Sequence, residues 1–127
     1  MIRNFFKKIP GSIALNNLLL ERNIMRNFLA CSSLELKKVK FYELFIKKND
    51  LVFDVGCNVG SRAKLFLNAG GKVVGFEPQE DLCNHLHGHL KRNRRFSLER
   101  TALGSETGFA EIKISDAHVL SSMSNRW

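Results

Sequence analysis

The spacing of apolar positions changes character near residue 50. Before it, Leu, Ile, Met and Phe recur among Asn and Arg over residues 12–30, which predicts one or two short helices. Over residues 34–48, Leu34, Phe41, Leu44 and Phe45 fall on one stripe at helical spacing, interrupted by Lys37 and Lys38, and Asn49-Asp50 breaks the pattern. Residues 51–55 (LVFDV) are then a short, nearly continuous apolar run ending at Gly56, the pattern of a strand buried on both faces. Residues 61–69 predict a helix with Ala63, Phe66 and Leu67 on one stripe, ended by Gly70-Gly71. A second short strand over 72–76 is closed by Glu77-Pro78. A helix over 79–92 follows, with Leu82, Cys83, Leu86 and Leu90 on one face and Lys91 and Arg92 suited to its negative end. Residues 96–103 predict a third strand, 104–108 a turn, and 109–114 alternate as a half-exposed strand does.

The order strand, helix, strand, helix, strand predicts an α/β fold. Its sheet is parallel, with helices on its faces and right-handed crossovers. At 127 residues there is room for one small domain. Apolar residues make up 44% and charged residues 25%, which excludes the disordered and membrane-spanning classes. No apolar run approaches the length of a membrane span, and no apolar signal-peptide core follows the basic start MIRNFFKKIP, so the sequence predicts a cytoplasmic protein.

Net charge is +8, and its distribution matters more than its size. Residues 1–50 hold 10 Lys/Arg against 4 Asp/Glu, whereas residues 51–127 hold 10 against 8. The chain therefore divides into a basic, helical leader over 1–40 and a domain over 41–127. Without interleaved aromatic platforms, the basic excess predicts a solvated face rather than a nucleic-acid or membrane partner. Cys31, Cys57 and Cys83 are odd in number and form no CxxC pair, so free, packed thiols are expected.

The chemistry-bearing segment is Asp54-Val55-Gly56-Cys57-Asn58-Val59-Gly60, at the carboxyl end of the first strand and opening the first helix of the sheet. Ligands of such folds bind at this edge. Gly56 allows a sharp turn and a close approach by a ligand, Asn58 tolerates positive φ, and Gly60 permits close packing where the helix begins. Glu77 lies 21 residues after Gly56, where an acid can accept the hydroxyl hydrogens of an adenosine ribose. Nicotinamide dinucleotides and S-adenosylmethionine both use such a pair. The spacing departs from G-x-G-x-x-G, and Asp54 would repel a pyrophosphate but suits an ammonium group, so S-adenosylmethionine is favoured. The plainer alternative is that Asp54 caps a loop and Glu77 faces solvent.

DLVFDVGCNVGSRAKLFLNAGGKVVGFEP, followed after a helix by RTALGSETGFAEIKIS, resembles the FkbM-type methyltransferase family from about Phe41 to Ser124. That family carries a DVGAN-x-G turn, an EP pair closing the second strand, and an A-x-G turn before a hairpin-like strand; Cys57 stands where Ala is usual. The resemblance implies a Rossmann-like fold of the class I methyltransferase type and S-adenosylmethionine-dependent methyl transfer, usually to oxygen. It implies that Asp54, Gly56, Asn58 and Gly60 line the methionine end of the cofactor, that Glu77 holds its ribose, and that Ala102 lies near the adenine. It also implies a fourth strand pairing with the first, so the domain over 41–127 is expected to be incomplete at its carboxyl end. Without that strand, residues 51–55 present an unpaired apolar edge, which a second copy or another partner would cover.

The function expected is an S-adenosylmethionine-dependent O-methyltransferase, or part of one, acting on a small molecule or glycan. The alternatives are a non-catalytic remnant or interaction module of the same fold, and part of an NAD-dependent oxidoreductase. No base is nominated; His118 is the one histidine late in the chain, and Ser121-Ser122 resembles a serine pair of the family. His85 and His89 sit one helical turn apart with His87 pointing away, and with no third ligand nearby they predict helix-surface histidines, not a metal site.

Overall fold

The computed structural model describes residues 10–112, with side chains from residue 14. The elements are α1 (Pro10–Leu29), α2 (Ser33–Tyr42), β1 (Leu51–Val55), α3 (Ser61–Asn68), β2 (Lys72–Phe76), α4 (Glu80–Leu90) and β3 (Phe96–Glu99). Residues 10–29 form one continuous helix. α2 opens on a capping box: Ser32 Oγ accepts the Glu35 N–H at 3.3 Å, and the Glu35 carboxylate accepts the Ser32 N–H at 2.8 Å. Glu35 also holds Lys64 of α3 at 2.7 Å, which ties the start of α2 to its neighbour.

The three strands are parallel in the order β1-β2-β3, with Leu51 opposite Lys72 and Val73 opposite Phe96. This is the small parallel α/β sheet that the alternation predicted. The helices lie on one of its faces. Both crossovers step in the same direction across the sheet, so their right-handedness drops α3 and α4 on the same side. Val52, Val73, Phe96 and Leu98 point into this layer against Ala63, Leu67, Leu86 and Leu90, and Phe28 and Leu29 of α1 pack on the same cluster. α2 docks on α3 through Val39, Leu65 and Ala69. All four apolar positions expected on the buried face of α4 are buried.

Several expectations are corrected. β1 is not buried on both faces: Leu51, Phe53 and Val55 are 65%, 60% and 52% exposed, because no described helix covers the second face. As expected, β1 is an edge among the described residues, pairing only with β2. The helix over 34–48 stops at Tyr42, and its stripe is outside: Leu34, Phe41, Leu44 and Phe45 are more than half exposed while Val39 and Ile46 are buried. Over residues 109–112 there is no strand, and 113–114 lie outside the described residues; β3 ends at Glu99, short of 103.

Candidate functional site

Three parallel strands bring their carboxyl ends to one edge, and the sequence motifs gather there. After β1 the chain turns through Gly56 (φ 69°), Asn58 (φ 53°) and Gly60 (φ 81°), the left-handed region expected at each. The N–H groups of Gly56 and Cys57 both donate to the Phe76 carbonyl at 3.0 Å, folding the turn over the end of β2. Gly60 caps α3, and its α-carbon is wedged against Leu86 and Phe28. By contrast, a Cβ added at Gly56 would meet nothing within 4 Å, so the turn presents bare backbone there.

Glu77 follows β2 and is 3% exposed. Its two oxygens accept the N–H of Asn58 at 2.9 Å and of Gln79 at 3.0 Å, so the acid braces the turn. Each carboxylate oxygen has a second lone-pair direction beyond the bond described. The Glu77 N–H donates to the Glu99 carbonyl at 3.0 Å, which sets the ends of β2 and β3 side by side. Ala102, half-buried, comes three residues after β3, and its carbonyl accepts the Thr101 hydroxyl at 3.1 Å.

Asp54 is the most unusual group at this edge. It is 2% exposed, yet its Oδ2 has no hydrogen-bond partner among the described residues. Its Oδ1 pairs with Arg62 Nε at 3.2 Å. Burial pushes the carboxyl above its ordinary value, opposed first by the Arg62 charge and then by the Cys57 thiol and the Ala63 N–H beside it. Arg62 was missed as a site residue. A buried carboxylate needs a cation within reach, and Arg62, in the first turn of the helix that follows, is the candidate the sequence offered. Its Nη2 also donates to the carbonyls of Val55 at 3.3 Å and Gly56 at 3.2 Å, so the side chain lies across the turn.

Neither Asp54 nor Glu77 faces solvent, so the plainer alternative fails for Glu77 and is incomplete for Asp54. The site brings Asp54, Gly56, Asn58, Gly60 and Glu77 into one turn; Ala102 belongs to the neighbouring strand end. Cys57 is buried, and burial followed by the Asp54 carboxylate pushes its thiol up, so it is a packing group rather than a nucleophile.

His85 and His89 stack with ring centroids 4.4 Å apart beside Phe28, and burial holds the His85 imidazole below its ordinary value. Among the described residues no group of three or more His, Cys, Asp or Glu could hold a metal ion. No described helix is long and apolar enough to cross a membrane. His118 and Ser121-Ser122 lie outside the described residues. Comparison with family models, with curated proteins and with solved structures returned no match for this chain.

Proposed function

We propose that the chain carries the cofactor-binding part of an S-adenosylmethionine-dependent methyltransferase of the FkbM type, with Rossmann-like topology and an oxygen acceptor on a small molecule or glycan. One observation carries the reading. Asp54 is a buried carboxylate with an unpartnered oxygen, held at the start of a turn of left-handed residues. An ammonium group that displaces Arg62 meets this carboxylate, whereas a pyrophosphate would be repelled by it.

The residues fit such a cofactor. Asp54 and the carbonyls of Val55 and Gly56 form a set of acceptors that Arg62 covers, and the ammonium end of the ligand takes over what Arg62 vacates. Glu77 receives the ribose hydroxyls on its remaining lone pairs while it keeps Asn58 and Gln79 in place. Asn58 and Gly60 hold the turn, and Ala102 flanks the adenine side. The cofactor supplies a methyl group on a sulfonium for in-line displacement, and the task of the chain is positioning.

A second reading, a domain that keeps the fold without turnover, is favoured by the self-sufficiency of the turn: Arg62 and two backbone amides already engage both acids. Calorimetric titration with S-adenosylhomocysteine and with NAD separates these. Binding of S-adenosylhomocysteine that weakens tenfold or more in Asp54→Asn supports the proposal. Binding of NAD alone removes it, as does affinity for S-adenosylhomocysteine unchanged in both Asp54→Asn and Glu77→Ala. No binding of either ligand leaves the second reading standing.

A further inference from the structure

Two residues of the exposed stripe, Leu34 and Phe41, lie along a groove between α2 and α3. The groove is open to solvent and has a volume of about 510 Å³, within the range of small-molecule sites. Leu34, Phe41 and Leu65 give it an apolar wall, and Lys37, Lys38 and Arg62 line it with cations. No carboxylate lines it. Of the acids near it in sequence, Glu35 holds Lys64, Asp54 lies buried beneath Arg62, and Glu43, which follows Tyr42, is exposed and does not line the groove. Neither Lys37 nor Lys38 has an ion-pair partner among the described residues. The apolar wall continues outward over Phe45, whose ring centroid is 5.3 Å from that of Phe41.

We propose that this groove binds a free, single-chain anionic amphiphile. An acyl or aryl-alkyl body lies along Leu34, Phe41 and Leu65, and a carboxylate or phosphate head meets Lys37, Lys38 and Arg62. Charge complementarity selects the head, since Lys37 and Lys38, without ion-pair partners among the described residues, line a volume that no acid lines, and Arg62, paired with Asp54, borders it. Size selects a discrete molecule over a lipid surface, because an open groove of about 510 Å³ accommodates one chain whereas a bilayer is engaged by a protruding apolar face. The apolar body explains why Leu34 and Phe41 are exposed at helical spacing: the ligand supplies the burial that no other helix does.

The binding claim stands apart from the function proposed above. Arg62 joins the two, since one guanidinium touches both the groove and the Asp54 turn. If the methyltransferase reading holds, the amphiphile is the methyl acceptor, and its acidic head lies next to the cofactor turn.

The test is titration calorimetry of the full chain with dodecanoate and with dodecyl phosphate, each below its micelle-forming concentration, without S-adenosylhomocysteine. Dodecyltrimethylammonium serves as a cation of matched tail. Saturable binding of the two anions, with the cation at least tenfold weaker, is expected. Lys37→Glu/Lys38→Glu and Phe41→Ser each lower anion affinity about tenfold, from two exposed charge pairs or one apolar contact face. Lys48→Glu, a charge reversal outside the groove, leaves it unchanged. These positions are exposed, so the fold survives, and Lys37→Gln/Lys38→Gln provides a milder variant. Equal binding of cation and anions overturns the proposal, as does affinity indifferent to both lysine variants. Capture by phosphatidylglycerol vesicles without binding of free anions overturns it in favour of a membrane surface. A chain that binds the amphiphiles but not S-adenosylhomocysteine retains the groove and loses only the acceptor role.

Discussion

Gly60 and Leu86 meet where α3 starts against α4: a Cβ on Gly60 would stand 2.6 Å from Leu86 Cδ2 and 3.2 Å from Phe28 Cζ. Leu86 is fully buried, so it has little room to retreat. Gly60→Ala therefore combines left-handed backbone strain with overpacking, and a loss of about 2–4 kcal/mol is expected. Gly56→Ala carries the same backbone strain into open space, and a loss of about 1 kcal/mol is expected. Urea denaturation of both variants checks the difference; equal losses would mean that the packing term is absent.

Acid weakens the link between α2 and α3. The Lys64 ammonium, followed by the Ser32 N–H, lowers the Glu35 carboxyl from 4.5 to about 2. A carboxylate depressed in the folded state contributes stability above its unfolded value and loses that contribution as pH falls through the folded one. The parent should lose stability between pH 4.5 and about 2, and Glu35→Gln should show a flatter profile over that window. Thermal melts across that range at low salt provide the measurement.

The thiols should separate into two classes. Cys57 and Cys83 are buried, burial pushes both thiols up, and Cys83 Sγ donates to the Glu77 carbonyl at 2.9 Å. Cys31 is half-buried. Iodoacetamide applied to the native protein should alkylate Cys31 first, with the other two at least about a hundredfold slower. Peptide mapping by mass spectrometry reads the order, and early modification of Cys57 would contradict its burial.

Much of this architecture could be read ahead of the structure, and the reasons differ by element. The buried face of α4 follows from its periodicity, because it has one apolar and one polar face, and the bounds of β2 follow from a short apolar run between Gly70-Gly71 and Glu77-Pro78. α2 misled because it has apolar residues on two faces. Periodicity marks Leu34 and Phe41, yet docking on α3 selects Val39, with Tyr42 edge-on to Phe66 at 4.8 Å. β1 misled for another reason: a continuous apolar run records what a strand can bury, not what is there to bury it. The turn glycines and Asn58 followed from φ requirements, Asp54 from its place at the end of β1 just before the turn, and Glu77 from its place after β2. The hold of Arg62 on Asp54 escaped because eight residues and a left-handed turn separate them.

The exposed side of β1 should drive self-association. Phe53 sits midway along an edge strand, on the face that no described helix covers, with Phe76 edge-on at 5.7 Å. Phe53→Lys places a charge where edge strands often carry one, and it should reduce concentration-dependent association at least severalfold. Light scattering over a dilution series tests this; identical profiles for parent and variant would show that this surface does not associate.

The order of the strands carries one more consequence. β1 is at once the outermost strand and the one whose carboxyl end delivers Asp54 and the turn. A newcomer running alongside it in the same direction would finish about 5 Å from that turn, whereas one added beyond β3 would stop three spacings away. Extending the sheet on the β1 side and supplying the turn with an opposing wall are thus a single event. Whatever lies down next to Val55 therefore also borders the Asp54 turn.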